Sequence, residues 1–76
     1  MTDAPQCLPY DAMLGALGSN YSETVQATGL AATGDVVQVT ASDGGTWTIL
    51  IIDAAGQACI AAHGEAYTVT RARPNL

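Results

Sequence analysis

Residues 43–67 read DGGTWTILIIDAAGQACIAAHGEAY. Thr46 to Ile52 is rich in Thr, Ile and Trp, the side chains that suit a pleated, half-buried surface. Asp43-Gly44-Gly45 precedes it and Asp53-Ala54-Ala55-Gly56 follows it. Both supply turn chemistry, because glycine adopts the positive φ of tight hairpins. Residues 57–62 then pair back as a second strand. His63-Gly64-Glu65 turns again, and residues 66–71, with Tyr67, Val69 and Arg71 alternating, predict an edge strand. On the first strand Trp47, Ile49 and Ile51 share one face, while Leu50 and Ile52 join Thr46 and Thr48 on the other. On the second, Cys59 and Ala61 share one face, and Ala58, Ile60 and Ala62 the other.

Working outward, Val36 to Ala41 alternates cleanly, with Val37, Val39 and Ala41 opposite Gln38 and Thr40. A further strand is expected over residues 23–29, with Thr33-Gly34-Asp35 as the intervening turn. Over residues 9–20 the pattern changes. Tyr10, Met13, Leu14, Leu17 and Tyr21 fall at steps of three and four, which marks one face of a helix. Pro9 suits the first helical position, and Asp11 complements the positive end of the helix dipole. Gly15 and Gly18 each cost about 1 kcal/mol relative to alanine, so this helix needs a surface, and Trp47, Ile49 and Ile51 are expected to offer it. The fold class is therefore α+β: one N-terminal helix on a small antiparallel meander of three to five strands. No internal repeat is evident. Residues 1–76 read as a single domain, with 1–6 and 72–76 as flexible ends. Without phenylalanine, Tyr10, Tyr21, Tyr67 and Trp47 are expected to supply most of the large core volume.

A chain of 76 residues buries only about 60% of its unfolded surface, so its core is marginal and a covalent staple is expected. Cys7 and Cys59 are too far apart in sequence for a CxxC motif, and even with His63 they are too few for structural zinc. A disulfide clamping the helix start onto the sheet is the first expectation, ahead of two separately buried thiols and of a reactive or metal-binding role. For a loop of about 50 residues such a bridge contributes roughly 4 kcal/mol and implies an oxidising compartment.

The formal charge is −5, from seven acids against Arg71 and Arg73, with no lysine. Two arginines near one end cannot build the basic surface that nucleic-acid backbones require, nor one that docks on anionic lipid. The uncharged, apolar stretch Gly44 to Ile52 is far short of the roughly 20 apolar residues of a spanning helix, so no membrane insertion is expected. The first eleven residues carry neither the basic region nor the apolar run of a secretory leader.

No catalytic, cofactor or metal site is read from the motifs. His63, the only histidine, could act as a base or ligand, but it sits in a turn. Glu23 and Glu65 are expected to be solvated charges. Asp35, Asp43 and Asp53 occupy turns, where their side chains satisfy backbone groups. The calcium-loop, dinucleotide-binding and phosphate-loop patterns are absent. The candidate binding surface is the hairpin tip Asp43, Gly44 and Gly45 with the neighbouring edge of Trp47.

Cys7, Leu14, Leu17 and Tyr21 with Glu23, Gly29-Leu30, Gly34, Val37 and Val39, Ser42, Gly45-Thr46-Trp47-Thr48-Ile49, Gly56, Cys59 and Gly64-Glu65 form an ordered pattern. It resembles a family of small uncharacterised proteins of alphaproteobacteria, made with a secretory leader. They carry a Tyr-x-Glu, a Gly-Thr-Trp-Thr and a Gly-x-x-Cys in this order. The resemblance runs from Cys7 to Tyr67 and implies a periplasmic location and a Cys7–Cys59 bridge. It brings no activity. The chain departs in having no leader and in Tyr67, where the relatives tend toward tryptophan.

These readings together suggest a non-catalytic, acidic binding or accessory module, periplasmic or secreted, with a protein partner. One alternative is a phage virion component, a decoration or tail-associated protein. Another is an inhibitor of an envelope hydrolase that presents the Asp43–Gly45 tip. Thiol titration of denatured, unreduced protein is expected to find no free thiol; two free thiols would refute the bridge.

Overall fold

A computed structural model describes residues 6–70. The strands are β1 (Cys7–Pro9), β2 (Thr24–Leu30), β3 (Val36–Ala41), β4 (Trp47–Ile52) and β5 (Gln57–Gly64), and the helix is α1 (Tyr10–Tyr21). The strands form one antiparallel sheet in the order β1-β5-β4-β3-β2, with α1 on one face. The α+β architecture, the N-terminal helix and the disulfide are as the sequence predicts.

Three hairpin loops set the frame, and they share one construction. In each, the first residue accepts a hydrogen bond from a glycine three places on: Ala31 from Gly34 at 2.9 Å, Ser42 from Gly45 at 3.1 Å and Asp53 from Gly56 at 3.0 Å. All three glycines have positive φ, at 96°, 97° and 85°, a conformation that a Cβ opposes. The glycines recur every eleven residues. The sequence therefore holds a repeat after all, but in loop geometry rather than in side-chain identity. Asp53 Oδ1 accepts from the backbone N–H of Ala55 and Gln57, each at 3.0 Å. One loop earlier Ser42 takes that part, its Oγ accepting from Thr46 N–H at 3.1 Å. Asp35 instead accepts from the hydroxyl of Thr33 at 3.0 Å.

The strand that leads into the helix is the element the sequence does not announce. Cys7 lies directly opposite Cys59, and the two are joined by a disulfide. The bridge thus ties β1 to β5, and holds the helix only through the chain that follows. The N–H of Ile60 donates to the Gln6 carbonyl at 2.9 Å, so one hydrogen bond to β5 reaches Gln6, just ahead of β1. The other residues expected to be flexible, 1–5 and 72–76, lie outside the described residues. Pro9 ends β1 with φ −52° and ψ 144°, so it caps the helix and does not occupy its first turn. At the far end, residues 66–70 form no strand, and Arg71 lies outside the described residues. Ala66 has φ 61°, which is not an extended conformation.

The helix rests on the face opposite to the one expected. Met13 and Leu17 pack with Leu50, Ile52 and Ala58, and Tyr10, Leu14, Val36 and Ile60 border them. Leu50 has no exposed surface, whereas Ile51 is 40% exposed. The expectation failed because β4 is apolar on both faces, so its pattern cannot select one. Two bonds from Tyr10 fix the choice: its N–H donates to the Gly56 carbonyl at 2.9 Å and its hydroxyl to Gln38 Oε1 at 2.8 Å. The core is aliphatic, not aromatic, and Tyr21 is an exposed side chain. A bulge at Ala61 also breaks the expected alternation of β5: Leu50 pairs with Ile60, but Ile49 pairs with Ala62. Beyond it Ala62 joins the face of Ile49, and His63, opposite Thr48, joins the helix side.

Leu50→Ala should cost about 2–5 kcal/mol, and Ile51→Ala less than half as much, measured as shifts of the urea or thermal midpoint. Equal losses would contradict the placement of the helix.

Candidate functional site

Between the second half of α1 and the β1–β5 side of the sheet runs an open groove of about 940 Å³. Met13, Ala16, Leu17, Asn20 and Tyr21 line it from the helix, Leu8 from β1, and Ile60, His63 and Gly64 from β5. Thr46, Trp47 and Thr48 line it from the start of β4, with Glu23 and Glu65 as its carboxyls.

Glu23 is the residue that sequence reasoning placed wrongly. Its expected role was a solvated charge, yet it is only 6% exposed. The cause is local. Ser22 adopts the left-handed conformation, φ 58° and ψ 32°, and closes the helix by donating to the Gly18 carbonyl at 3.0 Å. The Glu23 N–H reaches back to the Leu17 carbonyl at 3.2 Å. The chain therefore turns inward before β2 begins. Glu23 Oε1 accepts from the hydroxyl of Thr40 at 2.6 Å, a bond buried between helix end and sheet. Its other oxygen takes no hydrogen bond from any described residue. A signal was present in the sequence: Glu23 is the only charged residue between Asp11 and Asp35. A solvated face would carry several.

The expected tip surface divides in two. Asp43 and Gly44 are exposed. Gly45 is half-buried, because the segment after β5 lies against it: Tyr67 N–H donates to the Gly45 carbonyl at 2.9 Å. A Cβ on Gly45 would stand 3.5 Å from the backbone nitrogen of Ala66. Trp47 is half-buried and held along the Nε1–Cζ2 edge of its ring. Its indole N–H donates to the Glu65 carbonyl at 3.0 Å. The six-membered ring lies so close over Gly64 that a Cβ there would sit 2.9 Å from Cζ2. The tip and Trp47 are thus tied by the chain's own C-terminal segment, and Trp47 helps to wall the groove.

His63 is exposed and lines the groove. Both cysteines are bridged. Among the described residues no group of three or more His, Cys, Asp or Glu is placed to hold a metal ion. None of their helices is long and apolar enough to cross a membrane. No protein-family model matches the chain, and neither the curated proteins nor the solved structures contain a match.

Gly64→Ala should push the Trp47 ring outward and break its bond to Glu65. About 1–3 kcal/mol of stability would be lost, and the emission of this single tryptophan would move to longer wavelength. Unchanged emission would show that the ring is not seated on Gly64.

Proposed function

We propose that this chain is a small, disulfide-bonded, non-catalytic module that binds a protein partner in the groove beside α1. The observation that carries the reading is the groove itself. A domain with so little interior leaves Met13, Leu17 and Ile60 bordering an open cavity, beside the buried carboxyl of Glu23. Concave, mainly apolar surfaces with a few convergent polar groups are where binding concentrates. The walls come from α1, β4 and the bridged β1–β5 pair, so the shape is preorganised and little ordering entropy is lost on association.

A non-catalytic role is supported by what surrounds the reactive groups. Both sulfurs are held in the bridge, which leaves no thiolate nucleophile. His63 receives no orienting hydrogen bond from a described residue, whereas a working base is usually held by one. The bridge supports an oxidising setting, the periplasm or the cell exterior, in line with the compartment that the resemblance implies.

Partner capture from envelope extract on immobilised protein tests this, with two variants alongside. Ala16→Gln keeps the helix and narrows the groove; Asp43→Ala alters the free tip. The wild type and D43A should retain the same protein, and A16Q should retain at least about tenfold less. Retention lost in D43A but kept in A16Q would move the surface to the hairpin tip. No retention by the wild type would count against a binding role.

A further inference from the structure

We infer that the groove receives a lysine or arginine side chain of the partner, with its aliphatic stem on Leu8, Tyr21 and Ile60 and its cationic head on the Glu23 carboxylate. This deepens the binding-module reading and rests on it.

Taking a carboxylate out of water is costly unless donors replace the water. An ionised carboxyl has about four acceptor sites. Glu23 fills one of them, with the Thr40 hydroxyl at 2.6 Å. No described residue donates to Oε2, which keeps access to solvent, and residues 6–70 contain neither lysine nor arginine. A structural role alone does not call for a charge here, since a glutamine would accept the Thr40 bond equally well. The groove supplies the rest of a basic side chain's requirements. Long cationic side chains lay their methylenes on apolar surface and keep the head at a polar site. Tyr21 from α1, Leu8 from β1 and Ile60 from β5 keep exposed surface in the groove that Glu23 lines. A guanidinium or ammonium meeting Oε2 makes a charge-assisted hydrogen bond, roughly twice as strong as a neutral one. At longer range, a chain of net charge −5 attracts a basic partner and repels an acidic one.

The test is an NMR titration of the full chain with N-acetyl-arginine methylamide and N-acetyl-lysine methylamide. The neutral N-acetyl-norleucine methylamide serves as the reference. The cationic probes should move the amide signals of Thr40, Thr48 and His63 and bind at least about tenfold more tightly than the neutral one. Their affinity should fall with added salt, while that of the neutral probe should not. Glu23→Gln, which keeps an acceptor for Thr40, should erase the difference between probes. If E23Q does not fold, the salt dependence of the wild type decides alone. Equal binding of neutral and cationic probes, no response to either cation, or an unaltered preference in E23Q would each overturn the inference. Tighter probe binding by R71A/R73A would assign the site to the chain's own arginines and also overturn it. A partner retained equally by E23Q and the wild type would refute this assignment and leave the binding-module reading standing. Absence of any captured partner would remove that reading while the probe titration still reports on Glu23.

Discussion

One helix of 12 residues has to cover a sheet of five strands. The helix is about 18 Å long and 10 Å wide; the sheet, at about 4.8 Å between strands, is roughly 20 Å across. The helix can therefore seal only part of one face, and most other features follow. Where it lies, side chains are fully enclosed, with Leu50 and Ala58 at zero exposure. Where it does not reach, on the β1–β5 side, the groove remains. The opposite face, with Val37, Val39, Ile49 and Ile51, has no helix on it, and its side chains stay partly or largely exposed. A core this small cannot hold the domain by apolar burial alone. The Cys7–Cys59 bridge matters for that reason: it closes the chain across 52 residues and restricts the unfolded ensemble, a contribution of about 4 kcal/mol in the chain-entropy model.

The sheet survives with so little cover because its local geometry is consistent. Three loops with a glycine at the same place, eleven residues apart, give β3 and β4 six residues each. Asp53 and Ser42 bond their own turns in the same way although their chemistry differs. Each hairpin can therefore form from local information, and the meander from β2 to β5 needs no long-range crossover. Only β1 has to find a distant partner, and the disulfide secures that pairing.

The site belongs to a different level of organisation. Glu23, Thr40 and the two β5 residues Ile60 and His63 lie on three separate segments. They meet only because the helix ends in a left-handed residue and β5 carries a bulge. Shifting β5 by one residue at Ala61 is what sends His63 to the groove side. The aromatic residue that attracted notice in the sequence has a part in this as well. Trp47 is fastened over Gly64 by its bond to Glu65, so the segment after β5 is held against the hairpin tip instead of lying free.

By itself the sequence determined the elements whose signals are local. The 3.6-residue spacing of Tyr10, Met13, Leu14, Leu17 and Tyr21 marks the helix within a residue at each end. The alternation of Val36–Ala41 and the glycine-bearing turns mark three hairpins, because those preferences act over a few residues. Tertiary structure alone decided which face of β4 the helix covers, since that strand is apolar on both sides and the selecting bonds come from Tyr10 to Gly56 and Gln38. It also decided that Cys7–Pro9 is a strand, because three residues ending in proline have no strand character until β5 stands beside them. The last edge strand failed for the same reason in reverse: residues 66–70 alternate correctly, but the positive φ of Ala66 and the bond from Tyr67 to Gly45 turn them away from the sheet. And it decided the fate of Glu23. A lone carboxyl is an exposed charge by default, and only the Thr40 hydroxyl, seventeen residues away, makes its burial tolerable.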